Sequence, residues 1–278
     1  MRLFIRRNSV NTQNGIGPDL SRKVRYAFFF DVDGTLATIQ SRPDEVFIPE
    51  PVITSLAALA HVSEGALALV SGRPISELDA LVAPLHLPLA GVHGAERRDA
   101  SDRLERHTLP DEVAAALTSR LSEAMATMPG TQLETKGMAF ALHYRRAEQY
   151  QSQVLTLAES MVARFPQLTL QPGKCVVEIK PKGVNKGAAI AAFMQQAPFS
   201  GRTPVFIGDD LTDEAAFTAV NAMDGISVKV GEGQTEAGYR LPDVAAVGHW
   251  LAQIRLKLDK DDTTSVRSQG YESFSGRI

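Results

Sequence analysis

Residues 28–36 read Phe-Phe-Phe-Asp-Val-Asp-Gly-Thr-Leu, an apolar run that leads directly into two carboxylates and a glycine. The apolar run is typical of a buried β-strand, and Gly34 indicates a turn after it. We therefore expect Asp31 and Asp33 at the carboxyl end of a strand, which is where open α/β sheets bind their ligands. The alternative is an ordinary Asp-Gly turn that carries two surface carboxylates.

Apolar runs of the same kind recur along the chain and alternate with helical patterns. They cover residues 26–31, 66–71, 88–92, 204–209 and 225–230. This alternation indicates βαβ units, so the expected fold is an α/β, Rossmann-like, doubly wound parallel sheet.

The middle of the chain has a different pattern. Residues 133–145 and 168–180 alternate in hydrophobicity like two-faced strands, and residues 111–127 and 147–165 are amphipathic like helices. We expect these segments to form a smaller, inserted α+β cap domain. The expected division is a poorly ordered start at 1–25, a core at 26–106 and 183–256, a cap at 107–182 and a poorly ordered tail at 257–278.

Composition narrows the class of protein. The chain has 278 residues, is 44% hydrophobic and has a formal net charge of −3, so it can bury a full-sized core but offers no strong field for nucleic acid or an anionic membrane. We find neither a signal-peptide pattern nor an apolar run long enough to span a bilayer. Cys175 is the single cysteine, which excludes an internal disulfide. We expect a cytoplasmic monomer without nucleic-acid or membrane partners.

The carboxylate pair suits phosphoryl transfer. A carboxylate can attack phosphorus and form an aspartyl phosphate, provided that a cation screens its repulsion from the phosphoryl oxygens. We expect Asp31 to be this nucleophile, and Asp33 to protonate the departing oxygen and then to deprotonate the attacking water. Mg²⁺ is the expected cofactor because it prefers oxygen ligands.

A second apolar strand runs into Ser-Gly-Arg-Pro at residues 71–74, and Pro74 fits the start of a helix. We expect Ser71 and Gly72 to bind phosphoryl oxygens through the hydroxyl group and the free amides of this helix start. The alternative is that Ser71 only caps the helix.

Lys186 lies at the predicted first turn of a helix that continues through residues 188–196. A lysine is unfavourable there because it faces the positive end of the helix dipole. We therefore expect it to have anionic partners, namely Asp31 and a phosphoryl group. A lysine that is simply solvated is the alternative.

A third apolar strand runs into Gly-Asp-Asp-Leu-Thr-Asp-Glu at residues 208–214. Four carboxylates in so short a stretch repel one another unless a cation holds some of them. Asp209 is the expected ligand, supported by Asp210 or Asp213 directly or through water, whereas Asp213 and Glu214 also suit an ordinary acidic helix start. The expected metal site consists of Asp31, Asp33, Asp209, Asp210 and Asp213.

Taken in order, the motif at 31–35, Ser71, Lys186 and the motif at 208–213 resemble those of the haloacid dehalogenase-like superfamily of phosphotransferases. From about residue 28 to residue 251, the chain also resembles one branch, the trehalose-6-phosphate phosphatases. The segments that carry this second resemblance are 91–96, 134–137, 143–145 and 173–181.

The resemblance implies a mobile cap whose polar residues grip a disaccharide and close it over Asp31, so that trehalose 6-phosphate is hydrolysed to trehalose and inorganic phosphate. Glu178 is the expected acceptor for the sugar hydroxyls. The expected donors are Lys136, His143, Arg145 and Lys174. For each of these, the alternative is a polar side chain on the solvated face of a sheet. His93 is expected to be a buried, hydrogen-bonded histidine, with orientation of the loop near the site as the alternative.

Other functions fit the same core motifs, because the core alone cannot identify the sugar. One is a sugar phosphatase that acts on sucrose phosphate or on a phosphorylated monosaccharide. A phosphomutase would instead return a phosphorylated product. A non-catalytic sugar-phosphate sensor is disfavoured because Asp31, Asp33, Lys186 and Asp209 are all retained.

Overall fold

The computed structural model describes residues 17–259, apart from Ser41, Gly137 and Lys174. The segments at 1–16 and 260–278, which the sequence suggested were poorly ordered, lie outside the described residues. Residues 17–25 form no helix or strand, yet Leu20 is buried and the Pro18 carbonyl accepts a 3.0 Å hydrogen bond from Trp250. Pro18 and Leu20 therefore contact the core, and the expected division of the chain at residue 25 stays a prediction.

Strands and helices alternate along most of the described chain. The strands are β1 (Tyr26–Phe30), β2 (Leu67–Val70), β3 (Leu89–Gly91), β4 (Glu96–Arg98), β5 (Leu104–Arg106), β6 (Gln132–Lys136), β7 (Ala139–His143), β8 (Leu168–Gly173), β9 (Val176–Pro181), β10 (Thr203–Gly208), β11 (Ile226–Val230) and β12 (Tyr239–Leu241). The helices are α1 (Glu50–Val62), α2 (Ile75–Val82), α3 (Asp111–Ala126), α4 (Gln151–Arg164), α5 (Lys186–Met194), α6 (Glu214–Ala222) and α7 (Val244–Asp259).

The larger sheet has eight strands in the order β12-β11-β10-β1-β2-β3-β4-β5. The strands from β12 to β3 pair in parallel, and β4 and β5 add an antiparallel edge. Because β1 lies between β10 and β2, the carboxyl ends of three apolar strands meet at one edge. This is the α/β sheet that the sequence predicted.

The aromatic residues of β1 alternate between the two faces of this sheet. Phe28 and Phe30 stack with ring centroids 6.5 Å apart on one face, within the same apolar cluster as residues of α1 and α7. Phe29 points to the other face, where its ring centroid lies 6.0 Å from Phe193 of α5 and 5.4 Å from Phe199. Helices cover both faces, so the strand is buried from Ala27 to Phe30, as its continuous apolar run requires.

The smaller sheet is the cap sheet, with four antiparallel strands in the order β6-β7-β9-β8. Its apolar face packs with α3 and α4 around a separate core that includes Leu117, Phe140 and Val154. Both amphipathic helices predicted in this region are therefore present. The fold class is confirmed as α/β with a smaller α+β cap.

The sequence predicted strands correctly where an apolar run was long. All five predicted core strands form, with ends that shift by one residue. Each predicted cap segment, 133–145 and 168–180, is in fact a hairpin of two strands, because a tight turn interrupts it near its middle. The short strands β4, β5 and β12 were not predicted, since each contains arginine and, unlike the equally short β3, lies in no continuous apolar run.

Within the described ranges, no helix combines the length and the apolar character that crossing a bilayer requires.

A close approach between α5 and α6 generates a stability prediction. A methyl group on Gly187 of α5 would lie only 2.3 Å from the carbonyl oxygen of Ala215 in α6. We expect Gly187→Ala to lower the free energy of unfolding by about 1–3 kcal/mol, because the two helices must move apart. Urea unfolding followed by circular dichroism measures the change.

Gly248→Ala in α7 is the matched control. The added methyl group would meet only Val52, at an ordinary 3.7 Å, so better helix propensity should stabilise this variant by about 0.5–1 kcal/mol. Equal unfolding midpoints for the two variants would show that α5 and α6 have room for the methyl group.

Candidate active site

Asp31 lies immediately after β1 and is 4% exposed. Its backbone N–H donates to the Ile207 carbonyl of β10 at 2.9 Å, which holds the residue in line with the strand. One carboxylate oxygen lies 2.9 Å from Nζ of Lys186. Burial raises the pKa of Asp31 well above its usual value; Lys186 opposes this effect, and Asp213 and Asp209 add to it.

Lys186 is the first residue of α5 and is 2% exposed. Asn185 caps the helix by accepting a 2.9 Å hydrogen bond from the backbone of Ala188. The ammonium group of Lys186 reaches Asp31 and also donates to Oδ1 of Asp213 at 2.7 Å. Although burial opposes its charge, the carboxylates of Asp213 and Asp31 raise the pKa of Lys186, so the side chain stays cationic. Of the anionic partners expected for this lysine, Asp31 is present, whereas the contact with Asp213 was not predicted.

Asp213 organises the acidic loop after β10. Its Oδ2 accepts the backbone N–H groups of Asp209 at 2.8 Å and of Asp210 at 3.0 Å, while Oδ1 receives Lys186. The side chain is fully buried, and burial raises its pKa. Asp213 therefore acts as the structural centre of the loop, and its position depends on the charge of Lys186.

Asp31, Asp209 and Asp213 bring one carboxylate oxygen each within 4.8 Å of one another. Oδ1 of Asp209 is buried and lacks a hydrogen-bond partner. Burial, and then the charges of Asp213 and Asp210, raise the pKa of Asp209 to about 7. Buried carboxylates that crowd together need a compensating cation, and an all-oxygen donor set suits a hard divalent ion. These three residues therefore fit a metal ion.

The approach of Asp209 to this cluster depends on Gly34, in the turn after Asp31. Gly34 has φ 81°, and a Cβ atom there would lie 2.1 Å from Oδ2 of Asp209. Only glycine leaves this space and also adopts this backbone conformation without strain.

Two other predicted metal ligands are engaged elsewhere. Asp33 forms a bidentate ion pair with Arg73, in which both N···O distances are 2.7 Å. Asp210 caps the short 3-10 helix at Leu211–Asp213 by accepting from the backbone and hydroxyl groups of Thr212, at 2.7 and 2.6 Å. Neither carboxylate joins the three-residue cluster, although both line the same cleft.

Ser71 and Gly72 lie at the carboxyl end of β2, beside Asp31. Ser71 is buried, and its hydroxyl group accepts a 3.3 Å hydrogen bond from the backbone of Arg73. Helix α2 begins after Pro74 and has no side-chain cap, so Ser71 does not serve as its N-cap. We call residues 71–73 the phosphate loop, after the phosphoryl contact that the sequence predicts for Ser71 and Gly72.

A cleft of about 490 Å³ separates the core from the cap sheet above it. Asp31, Asp33 and Lys186 line the core side, whereas Glu134 and His143 line the cap side and pair with each other at 2.9 Å. The geometry thus brings a predicted sugar-binding residue, His143, to the same cleft as the predicted nucleophile.

The remaining predicted cap residues differ in position. Glu178 of β9 is 8% exposed, and Arg145 is an exposed residue just after β7. Lys136 ends β6, but its side chain lies outside the described residues, as does the whole of Lys174.

Two further cleft residues, Arg73 and Glu134, were not predicted from the sequence. Arg73 lies forty positions from its partner Asp33, and Glu134 belongs to a segment that was considered only for its lysine. Spacing along the chain cannot reveal such pairs. The Ser-Gly-Arg motif, with a cation as the last residue of the phosphate loop, was the available signal for Arg73.

The chain is similar to known trehalose phosphatases. The family model described as Trehalose-phosphatase matches residues 29–245. A curated relative from Escherichia coli (strain K12), "Trehalose-6-phosphate phosphatase", is 54% identical over 261 residues, which are 94% of this chain and 97% of the relative.

Solved structures agree on the fold. The C-terminal domain of the C. albicans trehalose-6-phosphate phosphatase superposes with a TM-score of 0.71 at 21% identity, over 87% of this chain and 99% of that one. A haloacid dehalogenase-like hydrolase from Bacteroides thetaiotaomicron gives a TM-score of 0.63 at 16% identity, over 84% of this chain and 100% of that one. At these identities the likeness concerns the fold alone.

The matched stretch includes Asp31, the phosphate loop, Lys186 and Asp213, and therefore every part of the buried charge cluster. Because the family model covers well over half of the chain, and because the core has the haloacid dehalogenase-like fold, the chain belongs to the trehalose-phosphatase family.

Proposed function

We propose that this chain hydrolyses trehalose 6-phosphate to trehalose and inorganic phosphate, with Asp31 as the nucleophile. The observation that carries the proposal is the buried Asp31 carboxylate, 2.9 Å from the Lys186 ammonium group at the base of a cleft that the cap sheet covers. The 54% identity to the Escherichia coli relative supports the choice of substrate.

The reaction proceeds in two displacements. Asp31 attacks phosphorus, the bond from phosphorus to the sugar oxygen breaks, and Asp33 gives its proton to that oxygen. Asp33 then takes a proton from water, which attacks the aspartyl phosphate and releases inorganic phosphate and the free Asp31 carboxylate. Both oxygens of Asp33 accept from Arg73, so Asp33 carries the proton either on a lone pair that this ion pair leaves free or on an oxygen that has left the pair.

Lys186 and the phosphate loop bind the phosphoryl oxygens. The Lys186 charge offsets the negative charge of Asp31 and the incoming phosphoryl group, and its burial strengthens this effect. Ser71 and Gly72 supply the hydroxyl group and backbone amides on the opposite side of the cleft floor.

We propose that Mg²⁺ is the metal, held by Asp31 and Asp209, with Asp213 fixing the loop that carries Asp209. Such an ion would screen the repulsion between the Asp31 carboxylate and the phosphoryl oxygens. Asp33 and Asp210 remain proposed supporting ligands that contact the ion through water, because their oxygens already accept hydrogen bonds from Arg73 and Thr212.

We further propose that residues 107–182 act as the sugar-recognition cap of a core formed by residues 26–106 and 183–256. Glu178 accepts hydrogen bonds from the sugar hydroxyls. The proposed donors are Lys136, His143, Arg145 and Lys174. Closure of this segment over the cleft removes bulk water before phosphoryl transfer.

A substrate panel tests the function. With Mg²⁺, the purified chain should release free phosphate from trehalose 6-phosphate with a kcat/KM at least about tenfold above that for sucrose 6-phosphate or glucose 6-phosphate. A chelator should reduce the rate to background. Phosphate release from another ester, with none from trehalose 6-phosphate, would reject the proposed substrate.

The nucleophile is tested by Asp31→Asn. A carboxamide cannot form an acyl phosphate, so kcat should fall about 1,000-fold or more while the circular dichroism spectrum is unchanged. Asp44→Asn is the control, because Asp44 is an exposed carboxylate that pairs with Arg42. Turnover close to wild type in Asp31→Asn would contradict the mechanism.

Sugar recognition is tested by Glu178→Gln. We expect the KM for trehalose 6-phosphate to rise about tenfold, and to rise more than the KM for p-nitrophenyl phosphate. Only the disaccharide has sugar hydroxyl groups, and therefore only its binding depends on their hydrogen bonds to Glu178. Glu159→Gln, an exposed change on cap helix α4, serves as control. An equal rise for both substrates would mean that Glu178 does not contact the sugar.

A further inference from the structure

The turn between β3 and β4 has an unusual backbone. Val92 and His93 both adopt left-handed conformations, with φ 49° and φ 54°. This region is especially unfavourable for a β-branched residue such as valine, and such strain persists only where the surroundings enforce it.

The phosphate loop enforces this conformation. The backbone N–H of Val92 donates to the Arg73 carbonyl at 3.0 Å, and that of His93 donates to the Ser71 carbonyl at 2.9 Å. The strained turn is thus fixed directly to the loop that is proposed to bind the phosphoryl group.

The imidazole ring of His93 rests on the same loop. A methyl group on Gly72 would lie 2.7 Å from Cε1 and 2.8 Å from Nε2 of His93, so the ring occupies the space that any larger residue at position 72 would need. The backbone of the turn and the contact with Gly72 together determine where the His93 ring lies.

The same edge of the ring also faces the cap. Nε2 of His93 lies 3.6 Å from Oε2 of Glu178, and the two side chains are only 14% and 10% exposed. This contact joins the core to strand β9 of the cap sheet. The 3.6 Å distance is slightly longer than that of a hydrogen bond. If the two atoms approached each other by less than about 1 Å, they would form one.

We propose that His93 is a positioning residue that couples sugar recognition to the phosphoryl site. From a ring seated on the phosphate loop, it orients the Glu178 carboxylate toward the hydroxyl groups of the substrate's sugar. The inference rests on the proposed function, because it assigns to Glu178 the sugar contact described there. A phosphate ester without sugar hydroxyl groups gains nothing from this arrangement.

The test compares kcat/KM for trehalose 6-phosphate with kcat/KM for p-nitrophenyl phosphate, using the full chain with Mg²⁺. His93→Phe keeps a ring over Gly72 but removes the nitrogen, so the ratio of the two values should fall about tenfold, as expected for a lost hydrogen bond to a charged group. His93→Gln restores a donor near the position of Nε2 and should recover part of the ratio. His86→Phe, which removes an exposed pair with Asp102, should leave the ratio unchanged.

A double-mutant cycle tests whether Glu178 is the residue through which His93 acts. Glu178→Gln should lower the ratio about tenfold in the wild-type background but less than about twofold in the His93→Phe background, because the two residues act as one unit. Equal losses in both backgrounds would overturn the coupling. So would a ratio that is unchanged in His93→Phe.

These outcomes are separate from those of the proposed function. If the unmodified chain hydrolyses p-nitrophenyl phosphate but not trehalose 6-phosphate, the ratio is zero in the wild type, and both the substrate assignment and the inference that rests on it fail. If it hydrolyses both, and His93→Phe slows both substrates equally, His93 supports only the phosphate loop and the inference about sugar coupling is wrong.

Discussion

The site depends on one buried ammonium group. Lys186 is placed between Asp31 and Asp213, which follow two neighbouring strands, and it approaches them from the start of a helix on one face of the sheet. Two buried carboxylates at such short range would be strongly unfavourable without it, and a buried lysine alone would be equally so. Each charge is therefore tolerated only because the others are present. The same interactions tie β1, the loop after β10 and α5 into one rigid unit.

Much of this unit could be predicted, because it lies at the ends of long apolar strands. A buried parallel strand needs a continuous apolar run, and the polar residues that follow it must lie at the ligand-binding edge. Asp31 and the loop that contains Asp209 and Asp213 were located in this way. Lys186 was found for a different reason, namely that its position at a helix start needs an anionic partner.

The remaining features depend on contacts between distant parts of the chain. The pairing of Asp33 with Arg73 and the approach of His93 to Glu178 each join residues that are many positions apart. Neither has a signature in local spacing. The short edge strands are likewise formed by pairing with a neighbour and not by their own composition, since Glu96–Arg98 is entirely charged. The predictions therefore stopped where tertiary contacts decide the conformation.

The sheet order also has a consequence for how the protein is made. The central strand β1 pairs with β10 from Tyr26↔Thr203 onward, whereas every strand of the cap sheet comes from one continuous stretch of chain between them. On the ribosome, the cap strands emerge together and can pair early. Strand β1 can pair with β2 at one side, but its other neighbour, β10, is synthesised much later. The acidic loop after β10 emerges later still. A nascent chain thus cannot act on phosphate esters until most of its synthesis is complete.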